Sequence, residues 1–274
     1  MQPGFFQGGR LNALQIHVDG IGLFGPGMSG WTHACEILTG KATLELAPIQ
    51  LPPTENLPPA ERRRVGVPIK LSMAIGFEAV RNACADPAQL ATVFSSSEAD
   101  CDNIHSILES LASDDREISP TRFHNSVHNA PSGYWSIATG CMEPSTTLCA
   151  YDATFAAGLL EATTQALSSG KPCLLLAYDT VFPEPLYSLR PIPYALGVAM
   201  VLNPFKTKAA HALLTLNMSS SSATTLSDNG LEELRIRIPA ARSLPLLNLL
   251  ADGTSGLVVI EYLDSINLSI GVQL

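Results

Sequence analysis

NAPSGYWSIATGCMEPSTTLCAYDATFAAGLLEA, residues 129–162, is the stretch whose reading decides the fold. Residues 146–150 (TTLCA) have the β-branched and apolar content of a strand. Residues 153–167 (ATFAAGLLEATTQAL) read as a helix that is apolar almost all round, with small residues at Ala153, Ala156, Ala157, Gly158, Ala162 and Ala166. A helix without a polar face is a buried helix, so this one requires cover on two sides, from the rest of the chain or from a partner. Asp152 falls at the strand-to-helix junction.

Upstream of this stretch, residues 13–18 read as a first strand. Gly20, Gly22, Gly25, Pro26 and Gly27 then suggest a flexible turn, followed by a helix over 31–38. Residues 42–56 carry Pro48, Pro52 and Pro53 and read as extended. Residues 58–84 are a long helix candidate, with Val65, Ile69, Met73 and Phe77 near one face and an irregular start at Gly66 and Pro68. A short strand over 90–94 precedes a helix over 102–111; residues 120–129 read as a loop or irregular helix, and 133–139 begin another helix.

Downstream, 173–177 and 195–202 are apolar strands. Strands alternating with helices predict an α/β fold whose mixed, mostly parallel sheet carries helices on both faces. Residues 218–230 are a low-complexity link. Beyond it, strands are expected over 234–238, 256–262 and 266–273, with a short helix over 244–250. The chain thus divides into a domain over 1–204 and a β-rich C-terminal extension over 205–274.

The chain has 274 residues, 46% hydrophobic and 15% charged, enough for a sizeable core. Its net charge of −9 without a basic run excludes a non-specific nucleic-acid binder. Six cysteines (Cys35, Cys84, Cys101, Cys141, Cys149, Cys173) form no CxxC pair and no zinc spacing. No metal or cofactor motif is present, since the glycines of 20–27 fit neither a P-loop nor a dinucleotide pattern. The N-terminus lacks a basic-then-apolar leader, and no apolar run is long enough to span a membrane. The expected setting is the cytoplasm, with free thiols.

Asp152 is a good helix N-cap, where a carboxylate accepts free N–H groups and meets the positive end of the dipole. As a nucleophile it would form a mixed anhydride, a poor acyl store. Cys149, three residues earlier, is the alternative nucleophile; within a strand it misses the helix-terminus field that activates a thiol. His124 and His128 have helical metal-pair spacing but no third ligand. Arg62, Arg63 and Arg64 read as a solvated helix start able to contact an anion, and Glu98, Asp100 and Asp102 as an acidic loop.

The central block resembles the nucleophile region of β-ketoacyl synthases: Asn129, Ala130, Gly133, Ser136, Ile137, Gly140 and Pro144 match that family's approach to its active site. Running on from Pro144 without a gap places Asp152 where the family has its reactive cysteine. VDGIGLFGPG resembles the family's opening strand and turn, ERRRVGVPIKLSMAIGFEAV its first long helix, and ALGVAMVL the closing strand of its first half. The resemblance implies a thiolase-like half-fold over roughly the first two hundred residues. The family's two catalytic histidines belong to a second half; downstream of Asp152 only His211 occurs, in a segment unlike either histidine motif.

Synthase-like chains without the nucleophile resemble chain length factors, including half-size forms associated with aryl polyene (xanthomonadin-like) pigments. The resemblance implies pairing with a catalytic β-ketoacyl-ACP synthase subunit, no catalytic residue on this chain, and acyl carrier protein reached through the partner. The acidic surface here agrees with the last point. By position in the family, Phe123, Ser126 and Asn129, with Tyr134 and Trp135, would line the interface and acyl tunnel; for Phe123 and Trp135 plain core packing is the competing reading. Two other readings stay open: a Cys149-dependent acyltransferase or thioesterase, and a stand-alone acyl-binding homodimer.

Overall fold

The computed structural model describes residues 13–274, so the N-terminal reading above lies outside the described residues up to residue 12. Its strands are β1 (Leu14–Gly25), β2 (Met28–Ser29), β3 (Ala91–Ser95), β4 (Ser145–Leu148), β5 (Cys173–Asp179), β6 (Leu196–Asn203), β7 (Ala212–Ser219), β8 (Gly256–Leu263) and β9 (Ile266–Gln273). They form one sheet in the order β4-β3-β5-β6-β1-β7-β9-β8, with β2 paired to β1. The helices are α1 (Trp31–Leu38), α2 (Pro59–Arg62), α3 (Val67–Asn82), α4 (Cys101–Ala112), α5 (Pro120–Asn125), α6 (Ala130–Thr139), α7 (Thr154–Ser169), α8 (Leu186–Leu189), α9 (Asn229–Arg237) and α10 (Leu244–Asp252).

The sheet is mixed and lies between helices, as the alternation of elements implied. Its parallel part is confined to β4-β3-β5; the other pairings are antiparallel, a larger share than the sequence suggested. β5 shows why two layers are needed. All seven of its residues are buried; Cys173, Leu175 and Ala177 join one core, and Leu174, Leu176 and Tyr178 the other. A strand apolar on both faces needs helices on both. α3 and α6 cover one face; α1, α7, α9 and α10 cover the opposite one.

Three readings are corrected and one open alternative is decided. The glycine stretch after residue 18 is a turn only at Pro26 and Gly27, between β1 and β2, because β1 continues to Gly25 through Gly20 and Gly22. Those glycines let the backbone of α3 lie against the strand: a Cβ on Gly22 would fall 2.1 Å from the Ile75 carbonyl oxygen, and one on Gly20 2.3 Å from that of Ala79. The long helix candidate is broken between α2 and α3, where Gly66 precedes Val67 and Pro68 takes an early helical position.

Residues 234–238 belong largely to α9, not to a strand. Asp228 caps that helix, accepting from Leu231 N at 2.9 Å, and Arg235 reaches back to Glu232 one turn earlier. Finally, the cover that α7 requires on its far face comes from the chain itself. Phe155 and Leu159 pack in one core with Ala240, Ala241, Leu244 and Val258. The segment 205–274 therefore contributes helices as well as strands, and β7 extends the sheet by pairing with β1.

Candidate functional site

β3, β4 and β5 end together at Ser95, Leu148 and Asp179, and the turn carrying Cys149, Tyr151 and Asp152 lies at that edge of the sheet. The chain passes from β4 into a 3₁₀ turn over Tyr151–Ala153 and then into α7. Tyr151 adopts φ 53°, a left-handed conformation rare for a bulky residue and costing about 1–3 kcal/mol. The residue is 65% exposed, and its ring lies under the Arg190 guanidinium, 3.6 Å from ring centroid to Cζ.

Asp152 is not the cap of α7: the residue before the helix is Ala153, and no side chain caps it. The 3₁₀ turn carries Asp152 away from the helix end and toward two arginines. Arg190 Nη2 donates to Oδ1 at 2.8 Å, and Arg242 Nη2 lies 3.3 Å from Oδ2. Arg190 follows α8 and Arg242 belongs to the turn before α10. The side chain at the nucleophile position thus ties three separated segments together.

Below this turn lies a polar cluster that the sequence reading missed. Asp179 is fully buried and accepts from Ser97 N (3.0 Å), Ser97 Oγ (2.6 Å) and Ala240 N (2.6 Å). Glu98 accepts from Thr180 N at 2.8 Å, and its other oxygen touches the Ser97 hydroxyl. That hydroxyl has one proton and two carboxyl neighbours, an arrangement satisfied when Glu98 is protonated. Burial, then the charge of Asp179, push Glu98 up to about 9. Burial raises Asp179 against its own hydrogen bonds. Glu98 is therefore the partly buried partner of fully buried Asp179, not part of a solvated acidic loop, while Asp100 caps α4. The available signal was a carboxylate at the end of each apolar strand, in TVFSSSE and CLLLAYD.

Cys149 is exposed, and its Sγ donates to the Ser97 carbonyl at 3.3 Å. Among the described residues no base is hydrogen-bonded to it. We expect Cys149→Ser to change stability by less than about 0.5 kcal/mol, which a thermal melt would check. His128 Nε2 contacts the Ser96 carbonyl at 3.1 Å, and His124 meets Tyr134 edge-on. Among the described residues no three potential ligands gather to hold a metal ion. Arg62 bonds the carbonyls of Leu57 and Glu55, Arg64 pairs with Glu61, and Arg63 is exposed. His211 N donates to the Val18 carbonyl. Val18 pairs with Leu202, which pairs with Cys173, so His211 lies at the opposite end of the strands from Asp152.

The expected tunnel residues separate into two groups. Phe123 is 66% exposed on α5; Ser126 ends that helix, its hydroxyl bonded to the Phe123 carbonyl, and exposed Asn129 precedes α6. Phe123 and Asn129, with Val127 and Ile137, border an open, largely apolar groove of about 620 Å³; Ser126 does not line it. Tyr134 and Trp135 are buried, at 2% and 1% exposure. The Trp135 ring packs on Phe77 of α3 at 4.8 Å, so it is a core residue that supports α6 from behind. Tyr134 donates to Asn125 at 3.1 Å while its ring faces the groove.

A two-faced mixed sheet with its candidate site at the strand-to-helix turn before α7 defines a ketosynthase-type half-fold. The chain belongs to the beta-ketoacyl synthase, N-terminal domain family, which matches residues 39–257. Among solved structures it is similar to a chain of the ketosynthase (ApeO) in complex with its chain length factor (ApeC) from Xenorhabdus doucetiae. That match has 21% identity and a TM-score of 0.72, covering 94% of this chain and 99% of that one. It is also similar to a chain of the ishigamide ketosynthase/chain length factor, at 11% identity and TM-score 0.73, covering 95% and 99%. A third is a chain of AntDE:AntF, a type II polyketide acyl carrier protein in complex with its ketosynthase, at 10% identity and TM-score 0.71, covering 95% and 99%. No curated protein matches the sequence. None of the helices among the described residues is long and apolar enough to cross a membrane.

Proposed function

We propose that this chain is a non-catalytic chain length factor that pairs with a catalytic β-ketoacyl-ACP synthase and shapes its acyl tunnel in aryl polyene or polyketide-type synthesis. The observation that carries the reading is Asp152. The residue at the nucleophile position is a carboxylate held by Arg190 and Arg242, and such a group cannot store an acyl thioester. The partner supplies the thiol, the histidines and the carrier docking, and the pair works in the cytoplasm. The resemblance of the sequence and the ketosynthase/chain length factor assemblies among similar folds support this assignment.

The surface that meets the partner is the groove edged by α5 and α6. Phe123 on α5, Val127 in the turn that follows and Ile137 on α6 expose 66%, 51% and 52% of their surface, an apolar patch suited to cover by association. Among the described residues β4 is an edge strand, paired with β3 alone. Phe123 is the anchor, because a large exposed aromatic at an interface carries a disproportionate share of the binding energy. Phe123→Ala is expected to weaken the complex at least about tenfold and to lengthen the product. Co-expression with the synthase, followed by quantitative pull-down and mass analysis of the product, checks both. A complex and product unchanged by Phe123→Ala and Ser126→Trp would remove the tunnel assignment.

A further inference from the structure

Arg190 and Arg242 reach Asp152 from different segments, and each takes a different carboxylate oxygen. The arginine side chains are the more deeply set partners, 19% and 17% exposed against 44% for Asp152. Among the described residues neither arginine pairs with any other acid. Two cations share one anion, and one of them is also fixed from behind by the Tyr151 ring.

We infer that Arg190 and Arg242 form a binding site for a short carboxylate, and that Asp152 fills this site in cis. The idea rests on the reading of a silent subunit for its biological sense: an acidic ligand finds the site closed by the chain's own side chain. Planar guanidiniums recognise carboxylates by geometry as well as charge, and withdrawing the anion leaves two half-dry cations facing one gap. A tethered carboxylate acts at an effective concentration that free anions do not match, so the intact protein is indifferent to added carboxylate.

The test is the thermal melting of the full chain alone in sodium formate and in sodium chloride at matched ionic strength. Wild type should melt identically in both. Asp152→Ala should melt lower in chloride and recover with formate, saturably and by about 3 °C or more. The recovery should vanish in Asp152→Ala/Arg242→Gln. Recovery that is absent, or that survives the Arg242 change, overturns the site. Should Asp152→Ala fail to fold in either salt, a cycle of Asp152→Asn, Arg242→Gln and the double variant decides in its place. Non-additive losses support the site, and additive ones overturn it. These melts use no partner, so their outcome is independent of whether the chain binds a synthase.

Discussion

Gly22→Val should abolish the fold or leave only a minor soluble fraction. The reason is a backbone-to-backbone approach. A Cβ on Gly22 would lie 2.1 Å from the Ile75 carbonyl oxygen and 2.9 Å from Ala79 N, both within α3. Neither atom is the end of a flexible side chain, so relief requires moving the helix. α3 is also pinned by Glu78, whose carboxylate accepts from Leu23 N at 2.9 Å and Trp31 N at 2.7 Å. Displacing α3 therefore breaks the link between β1 and α1 as well. The combined cost exceeds about 4 kcal/mol, a large part of the 5–15 kcal/mol that stabilises an ordinary domain. Gly133 of α6 is the control. A Cβ there meets nothing within 4 Å, so Gly133→Ala should be neutral or slightly stabilising, by up to about 1 kcal/mol. Soluble yield and urea unfolding of the two variants check the contrast.

Asp179→Ala should cost about 3–5 kcal/mol, because it leaves the part-buried Ser97 amide and the fully buried Ala240 amide without their acceptor. The same cluster sets a dependence on pH. Glu98 sits near an ordinary 4.5 in the unfolded chain and is pushed up to about 9 in the folded one. Between those values the folded chain keeps a proton that the unfolded chain has lost. The contribution of Glu98 is thus full below 4.5 and is lost as pH rises toward about 9, at a limiting slope of about 1.4 kcal/mol per pH unit. Glu98→Gln carries no titratable proton and should flatten this fall while keeping the bond from Thr180 N. Urea midpoints at about pH 6 and about pH 8.5 separate the two proteins; parallel curves would contradict the shared-proton arrangement.

The sequence made the main elements readable because they rest on local pattern. The apolar run of β5, the small-residue helix α7 and the Gly66/Pro68 break each carry their signal within a few residues. What stayed hidden depends on contacts between distant parts. Gly20 and Gly22 look like a turn until α3 is laid against them. Residues 234–238 are a different case, since the Asp228 cap and the Glu232–Arg235 pair that organise their helix are local and could have been read from the sequence. Asp152 occupies the position the resemblance assigned, yet its partners are single arginines in loops, Arg190 and Arg242, whose surroundings announce nothing. Trp135 left interface and core packing both open and lies in the core, since residue type alone does not distinguish the two sides of α6.

The most direct test is to follow the acyl group. The chain and its synthase should be co-expressed, isolated as a complex, incubated with an acyl-loaded carrier protein and analysed by intact-protein mass spectrometry. The account predicts a one-to-one complex in which the acyl mass appears on the synthase alone and this polypeptide keeps its unmodified mass. A covalent acyl adduct on this chain, at Asp152 or Cys149, in the complex or in isolation, would contradict it.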